Sequence, residues 1–164
     1  MIAAEGSPLR ALMARHHRDG RVVWLGLRPA RRAPVEAVAR AEVEASGLRG
    51  DRHPSPGKRA VTLLQAEHLP VISALCGVEA TPERLRRNVV VAGLNLAALK
   101  GRAVALGGAR LRITGPCAPC SRMEETLGPG GYSAVRHHGG WCAEVLEPGA
   151  VALGDAVRPL EDAA

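Results

Sequence analysis

Val104-Ala105-Leu106-Gly107-Gly108-Ala109-Arg110-Leu111-Arg112-Ile113-Thr114 joins two short apolar runs through a pair of glycines. In the second run Ala109, Leu111 and Ile113 alternate with Arg110, Arg112 and Thr114. Period two is the signature of a strand with one wet face, and Gly-Gly at the join predicts a β-hairpin. Gly115-Pro116-Cys117-Ala118-Pro119-Cys120 follows directly, and a helix-like run occupies 121–127. Two thiols therefore stand at a strand-to-helix corner.

Working outward, residues 21–27, 59–64, 88–92 and 141–146 read as strands. Residues 35–44 favour helix by propensity, yet alternate strictly, which predicts one strand with a wet face. The closing run 150–157 is interrupted by Gly154-Asp155. Ser7 as N-cap, Pro8 at the first helical position and Gly20 as stop predict a helix over about 8–19. A second helix is expected over 65–76, with short turns near Thr81-Pro82-Glu83 and over 94–100. Residues 28–34 form a basic, Pro-punctuated loop, 46–58 a longer loop, and 128–131 break the chain. Many short strands with closely spaced turns predict a mainly β fold. The expected architecture is a closed or half-closed β-barrel over 21–160 with a few short peripheral helices. Residues 1–20 would be an N-terminal helix or arm, and 161–164 a tail.

Composition bounds the partners. A chain of 164 residues is long enough for one domain with a core. It has no Phe and only 2% aromatic residues, so Val, Leu, Ile and Ala must fill that core. A net charge of +6 suits an anionic ligand. All basic residues except Lys58 and Lys100 are arginine, and Ala and Gly are abundant, a combination that tracks genomic base composition. Without stacking aromatics or a reader motif, specific nucleic-acid binding is not expected. No segment approaches the roughly 20 apolar residues that span a membrane. The N-terminal stretch lacks an apolar signal core, so a cytoplasmic location is expected. Four cysteines in a reducing compartment point to thiol or metal chemistry.

The Cys-x-x-Cys corner has several readings. Helix-terminal amides favour thiolate, which is a nucleophile, a sulfur carrier and a soft metal ligand. The pair is also compatible with two small buried apolar groups. A thioredoxin-like site needs a βαβ setting that these strands do not offer. Cys117, Cys120, His138 and Cys142 have spacings compatible with tetrahedral zinc. At a second corner, Arg86-Arg87-Asn88 places two guanidiniums and an amide where a helical turn meets a strand. Forked donors suit a phosphate, although a solvated charge pair has the same sequence. Lys58-Arg59 repeats the theme, and Thr62 adds a hydroxyl. Within the long loop, Gly50-Asp51-Arg52-His53 is a polar cluster in which Asp51 is compatible with an Asx-turn.

In their order and spacing these pieces resemble the MOSC domain family, named for the C-terminal domain of molybdenum cofactor sulfurase. The resemblance runs through Gly47-Leu48-Arg49-Gly50-Asp51-Arg52-His53, Arg59-Ala60-Val61-Thr62-Leu63, Arg86-Arg87-Asn88 and Gly93. It continues through the cysteine corner, Gly139-Gly140 and residues 149–157, covering about 21–160. It implies a β-barrel akin to the small stand-alone bacterial members and to the amidoxime-reducing component family. Cys120, which follows Pro119 and precedes the helix, matches the cysteine that ligates molybdenum held by a pyranopterin. Arg86, Arg87 and Asn88, with Arg59 and His53 as helpers, would bind the pterin and its phosphate. Cys117 would be a catalytic neighbour.

The activity so implied is reduction of N-hydroxylated small molecules, with electrons from a separate partner. An alternative is a persulfide or cofactor carrier using Cys120, loaded by a cysteine desulfurase partner, since these residues hold no pyridoxal-phosphate desulfurase domain. A third is a zinc-stabilised binding domain. A barrel edge or the N-terminal helix could support a homodimer.

Overall fold

The structure is a computed structural model that describes residues 6–52 and 56–161. His53 lies outside the described residues. Ser7 caps α1 (Pro8–Met13) by accepting the Arg10 N–H at 3.2 Å, and no α1 residue is buried. The helix stops well short of the predicted residue 19, because no apolar stripe holds its C-terminal half against the barrel.

The strands run in order β1 (Gly20–Leu27), β2 (Glu36–Val38), β3 (Arg40–Glu44), β4 (Gly47–Leu48) and β5 (Val61–Gln65). Two helices, α2 (His68–Cys76) and α3 (Pro82–Leu85), lead to β6 (Val89–Ala92). A 3-10 turn at Leu96–Leu99 precedes the hairpin of β7 (Ala103–Leu106) and β8 (Ala109–Pro116). Then come α4 (Ser121–Leu127), α5 (Gly131–Val135), β9 (Trp141–Glu147), β10 (Gly149–Ala152) and β11 (Ala156–Pro159).

Seven strands close a barrel in the order β11-β7-β8-β9-β5-β6-β1, and β1 pairs back onto β11. This is the mainly β barrel with short helices that the strand spacing predicts. The predicted hairpin forms with Leu106 opposite Ala109, and Gly107 adopts φ +54°. A Cβ there would sit 2.5 Å from an Asp155 carboxylate oxygen, so glycine is required on steric grounds as well.

The predicted single strand over 35–44 is two. β2 pairs with β1 on the barrel, whereas β3 joins β10 and β4 in a separate three-stranded sheet. The alternation is real, but the chain changes sheets at Ala39. The break expected at 128–131 also contains the start of α5, held to α4 by Glu124. Its carboxylate accepts the Tyr132 N–H at 3.1 Å and the Gly130 N–H at 2.9 Å, and these bonds lower its pKa.

β5 and β6 are parallel, so a helical crossover must link them. Both faces of this pair are buried, as parallel strands usually are. Leu63, Val89 and Val91 point into the barrel core with Val22, Leu25, Leu111 and Ile113. Leu64 and Val90 point outward into a second core with Ile72, Leu85, Met123, Leu127 and Val135 from the helices. This second core fixes α3 and α4 against one side of the barrel, which is what positions the site. No helix among the described residues is long and apolar enough to cross a membrane.

Candidate functional site

Two loops and two helix ends meet at one mouth of the barrel. The Arg28 loop leaves β1, and the Asp51 loop follows β4. The Asp51 side chain is fully buried against Arg28. Its carboxylate accepts the Arg28 backbone N–H at 2.6 Å, Nε at 3.1 Å and Nη2 at 2.8 Å. Asp51 is therefore an ion-pair anchor, and the local Asx-turn suggested for it gives way to a contact 23 residues away. Arg28 reaches further, donating from Nη2 to Asn88 Oδ1 at 3.1 Å and from Nη1 to the Arg86 carbonyl at 3.3 Å.

Asn88 is fully buried. Its Oδ1 also accepts the Thr62 N–H at 3.1 Å, and its Nδ2 donates to the Gly26 carbonyl at 3.1 Å. Its own N–H donates to Thr62 Oγ1 at 3.0 Å. Through both Oδ1 and Nδ2 the Asn88 side chain thus serves β1, β5 and the Arg28 loop. The amide expected to bind a ligand is a clasp between strands, and it is not part of the wall of the neighbouring arginine cavity.

Arg86 and Arg87 have different surroundings, although they are adjacent. Thr81 caps α3 at its start, and Arg86 ends it in the left-handed region at φ +54°. A non-glycine residue there is held against its preference. The Arg86 guanidinium donates to the carbonyls of Ala33 and Ala30, fixing the basic loop. Burial and the neighbouring Arg122 and Arg28 cations lower its pKa. Arg87 is only 6% exposed. It donates from Nε to the Gly139 carbonyl at 2.6 Å and from Nη1 to the Leu85 carbonyl at 2.7 Å. Its Nη2 is buried without a partner among the described residues.

These groups wall a cavity of about 350 Å³ lined by Arg28, Arg31, Arg32, Arg52, Arg86, Arg87 and Arg122, together with Ala30, Leu85, Cys120, Ser121 and Met123. Among the described residues only Arg28 has a buried carboxylate partner, and Arg32 approaches Glu125 at 4.0 Å on the surface. A concave site with this surplus of forked cations is built for an anion. Cys120 is exposed, in extended conformation, and is the residue before α4.

The second thiol of the corner faces elsewhere. Cys117 N–H donates to the Gly140 carbonyl at 2.8 Å, tying the corner to the start of β9. Gly140 has φ +97°, and a Cβ there would lie 2.1 Å from the Leu63 carbonyl, so only glycine permits this approach. Cys117 and Cys142 are both buried, and the pairing of β8 with β9 sets them as diagonal neighbours on adjoining strands. The neighbouring Cys142 thiol, aided by the Arg87, Arg59 and Arg28 cations, lowers the Cys117 pKa to about 6 against the effect of burial. Cys117 and burial in turn push Cys142 up, with Arg59 acting in the opposite direction. Arg59 is itself exposed and stands by Cys142, outside the arginine cavity. Cys117 belongs instead to the wall of a second cavity of about 330 Å³, with Lys100, Tyr132, Arg136, His137 and Trp141.

The zinc set is not assembled. The His138 ring packs edge-on against His68, centroids 5.3 Å apart, and Cys120 lines a different cavity from Cys117. Among the described residues no three His, Cys, Asp or Glu side chains are grouped to hold a metal. The structure thus brings Arg86, Arg87 and Cys120 to one cavity and leaves Asn88, Arg59 and Cys117 outside it. The sequence signal for Arg28, Arg31 and Arg32 is the density of arginine in the 28–34 loop, and that for Arg52 is the polar cluster around Asp51. Nothing in the sequence marks Arg122.

The sequence profile of one family, described as MOSC domain, matches residues 30–158. No curated protein matches the chain. Among solved structures, the YUAD protein from Bacillus subtilis superposes with a TM-score of 0.76 at 21% identity, covering 85% of this chain and 94% of that one. YiiM from Geobacillus stearothermophilus gives 0.73 at 18% identity, covering 87% and 75%. YiiM from Escherichia coli gives 0.68 at 18% identity, covering 88% and 71%. At these identities the likeness establishes a shared fold alone.

Proposed function

The chain belongs to the MOSC domain family, and from that premise we propose that it binds a pyranopterin molybdenum cofactor in the arginine cavity, with Cys120 as the protein ligand to the metal. The observation that carries this reading is the exposed Cys120 thiol on the wall of a cavity lined by seven arginines. The donor set fits such a group. A phosphate needs forked cations, and Arg87 Nη2 is a buried donor without a partner among the described residues. A thiolate is a suitable soft ligand for the metal.

When bound, the cofactor would supply two-electron redox chemistry, here the reduction of an N-hydroxylated small molecule with electrons from a partner protein. The chain's own residues bind and orient. Arg122 and Arg52 offer charge at the rim, Arg87 offers a fixed buried donor, and Arg86 holds the basic loop that carries Arg31 and Arg32. Protein produced in a cofactor-competent host is expected to contain molybdenum and pterin in equal amounts. Cys120→Ser is expected to lose the molybdenum, and a Cys120→Ser protein that retains it overturns the assignment.

The exposure of Cys120 also favours a second reading, in which it carries a persulfide received from a cysteine desulfurase. Mass spectrometry after incubation with the desulfurase and cysteine would then show one added sulfur on Cys120. An unmodified Cys120 under those conditions removes this reading.

A further inference from the structure

The chain has three aromatic residues, Trp24, Tyr132 and Trp141, and two of them wall one cavity. It is the second cavity, which the cysteine corner separates from the arginines. Cys120 and Ser121 line the first, whereas Cys117, Ala118 and Pro119 line the second. Trp141 opens β9 between Leu63 of β5 and Pro116 of β8. It packs against the barrel core yet is only partly buried, so the core anchors part of its surface and the rest is left to the cavity. Tyr132 stands on α5, its N–H held by the Glu124 carboxylate at 3.1 Å. It is 44% exposed, so much of its surface has no protein neighbour.

The charged groups of this cavity are of one sign. Lys100, Arg136 and His137 line it, with no carboxylate among the described residues. Neither Lys100 nor Arg136 forms an ion pair among the described residues. The backbone that carries the wall is fixed. Arg87 Nε donates to the Gly139 carbonyl at 2.6 Å, and the Cys117 N–H donates to the Gly140 carbonyl at 2.8 Å. His137 sits at φ +67°, in the left-handed region that a non-glycine residue occupies against its preference. Such strain persists only where the surrounding structure over-determines it, and it gathers at ligand sites.

The contrast with the arginine cavity sets the ligand class. Seven arginines without an aromatic residue suit a compact, multiply charged anion. In the second cavity rings, prolines and glycines form most of the wall, and they would leave a multiply charged group poorly solvated. A flat ring gains from stacking on such a wall, and a single negative charge answers the cations at its side. The volume of about 330 Å³ is at the small end of ligand sites, which suits a small ring system. We propose that this cavity binds a planar aromatic carboxylate, its ring against Trp141 and Tyr132 and its carboxylate toward Lys100 and Arg136. The site does not depend on what the arginine cavity holds.

The test uses the full chain, with 2-naphthoate as the probe, titrated by calorimetry at low salt. Saturable binding at one site is expected, weakening as salt is added. Two relatives of the probe separate the contributions. The uncharged 2-naphthamide and the non-planar cyclohexanecarboxylate should each bind at least about tenfold more weakly, the scale of one lost charge-assisted hydrogen bond or one lost stacking contact. Tyr132→Leu should raise the naphthoate Kd by about tenfold. The double variant Lys100→Gln, Arg136→Gln should raise it at least as much. All three positions are exposed, and circular dichroism checks that the variants fold. If Tyr132→Leu does not fold, the probe series on the unmodified chain decides the matter. Inorganic phosphate, added at constant ionic strength, should leave naphthoate binding unchanged.

Absence of saturable binding overturns the proposal. So does binding that the amide or the aliphatic acid reproduces, since neither the charge nor the ring would then be recognised. Binding that both variants leave unchanged overturns it too, and displacement of the probe by phosphate places it in the arginine cavity with the same consequence.

Discussion

Two polar regions meet at Arg28, which belongs to both. In the clasp of Arg28, Asp51, Thr62 and Asn88, the buried carboxylate and the buried amide find partners on neighbouring elements. In the cavity beside it, guanidiniums outnumber carboxylates and a buried Arg87 donor is left without a partner among the described residues. A buried polar group normally has its partner, so the first region reads as architecture and the second as a place where something else supplies the acceptor. Arginine alone does not separate the two regions, whereas hydrogen-bond satisfaction does.

Breaking the clasp should have the largest effect. Asp51→Ala leaves Arg28 partly buried without its carboxylate, and loss of one partner from a buried pair costs about 3–5 kcal/mol. Urea unfolding of the variant should show that loss. A change under about 1 kcal/mol would mean that water replaces the carboxylate and that the clasp is not architecture.

The buried Cys117 thiol gives a pH-dependent effect, smaller than loss of the clasp at neutral pH, which is about one unit above its folded-state pKa. The folded-state pKa of Cys117 lies at about 6, below the ordinary thiol value of 9.0. A depressed pKa means that the unfolded chain binds more protons in this window, so stability rises with pH between those values. The contribution is fully present above about 9 and is lost as pH falls through about 6. Cys142 shifts the opposite way, and its stabilising contribution stays constant below 9. The slope has an upper limit of about 1.4 kcal/mol per pH unit for one proton. Unfolding midpoints of the native chain and of Cys117→Ser, compared across this range, should diverge as pH rises. Parallel profiles would show that Cys117 is not the thiolate.

The smallest stability effect is expected in the cavity itself. Arg122 is half-buried and has no carboxylate partner among the described residues. Arg122→Gln should change stability by less than about 0.5 kcal/mol while weakening phosphate binding. An Arg122→Gln protein that unfolds as readily as Asp51→Ala would erase the distinction between the two regions.

Much of the barrel is legible in the chain because strand periodicity is a local property. The Gly107-Gly108 hairpin, the alternation of β8 and the capping signals around α3 each depend on a few consecutive residues. The alternation over 35–44 is equally local, and it misled only on continuity. Nothing within ten residues announces that the chain will change sheets at Ala39. The candidate site was partly legible. A cysteine corner and an arginine corner are visible as motifs, but whether a given side chain faces a cavity or a strand is not. Arg86, Arg87 and Asn88 are consecutive, yet one fixes a loop, one is a half-used buried donor and one is a complete clasp.

The sequence by itself determined that short alternating strands pack around a core of Val, Leu, Ile and Ala, and that two thiols follow β8. Both are consequences of spacing along the chain. Only the tertiary structure decided that Cys120 joins the arginines while Cys117 joins the wall of a second cavity, and that Asp51 neutralises Arg28 and none of the others. Those assignments depend on which strands lie side by side. Pairing across 23 to 60 residues is set by how the whole barrel closes, not by any one segment of it.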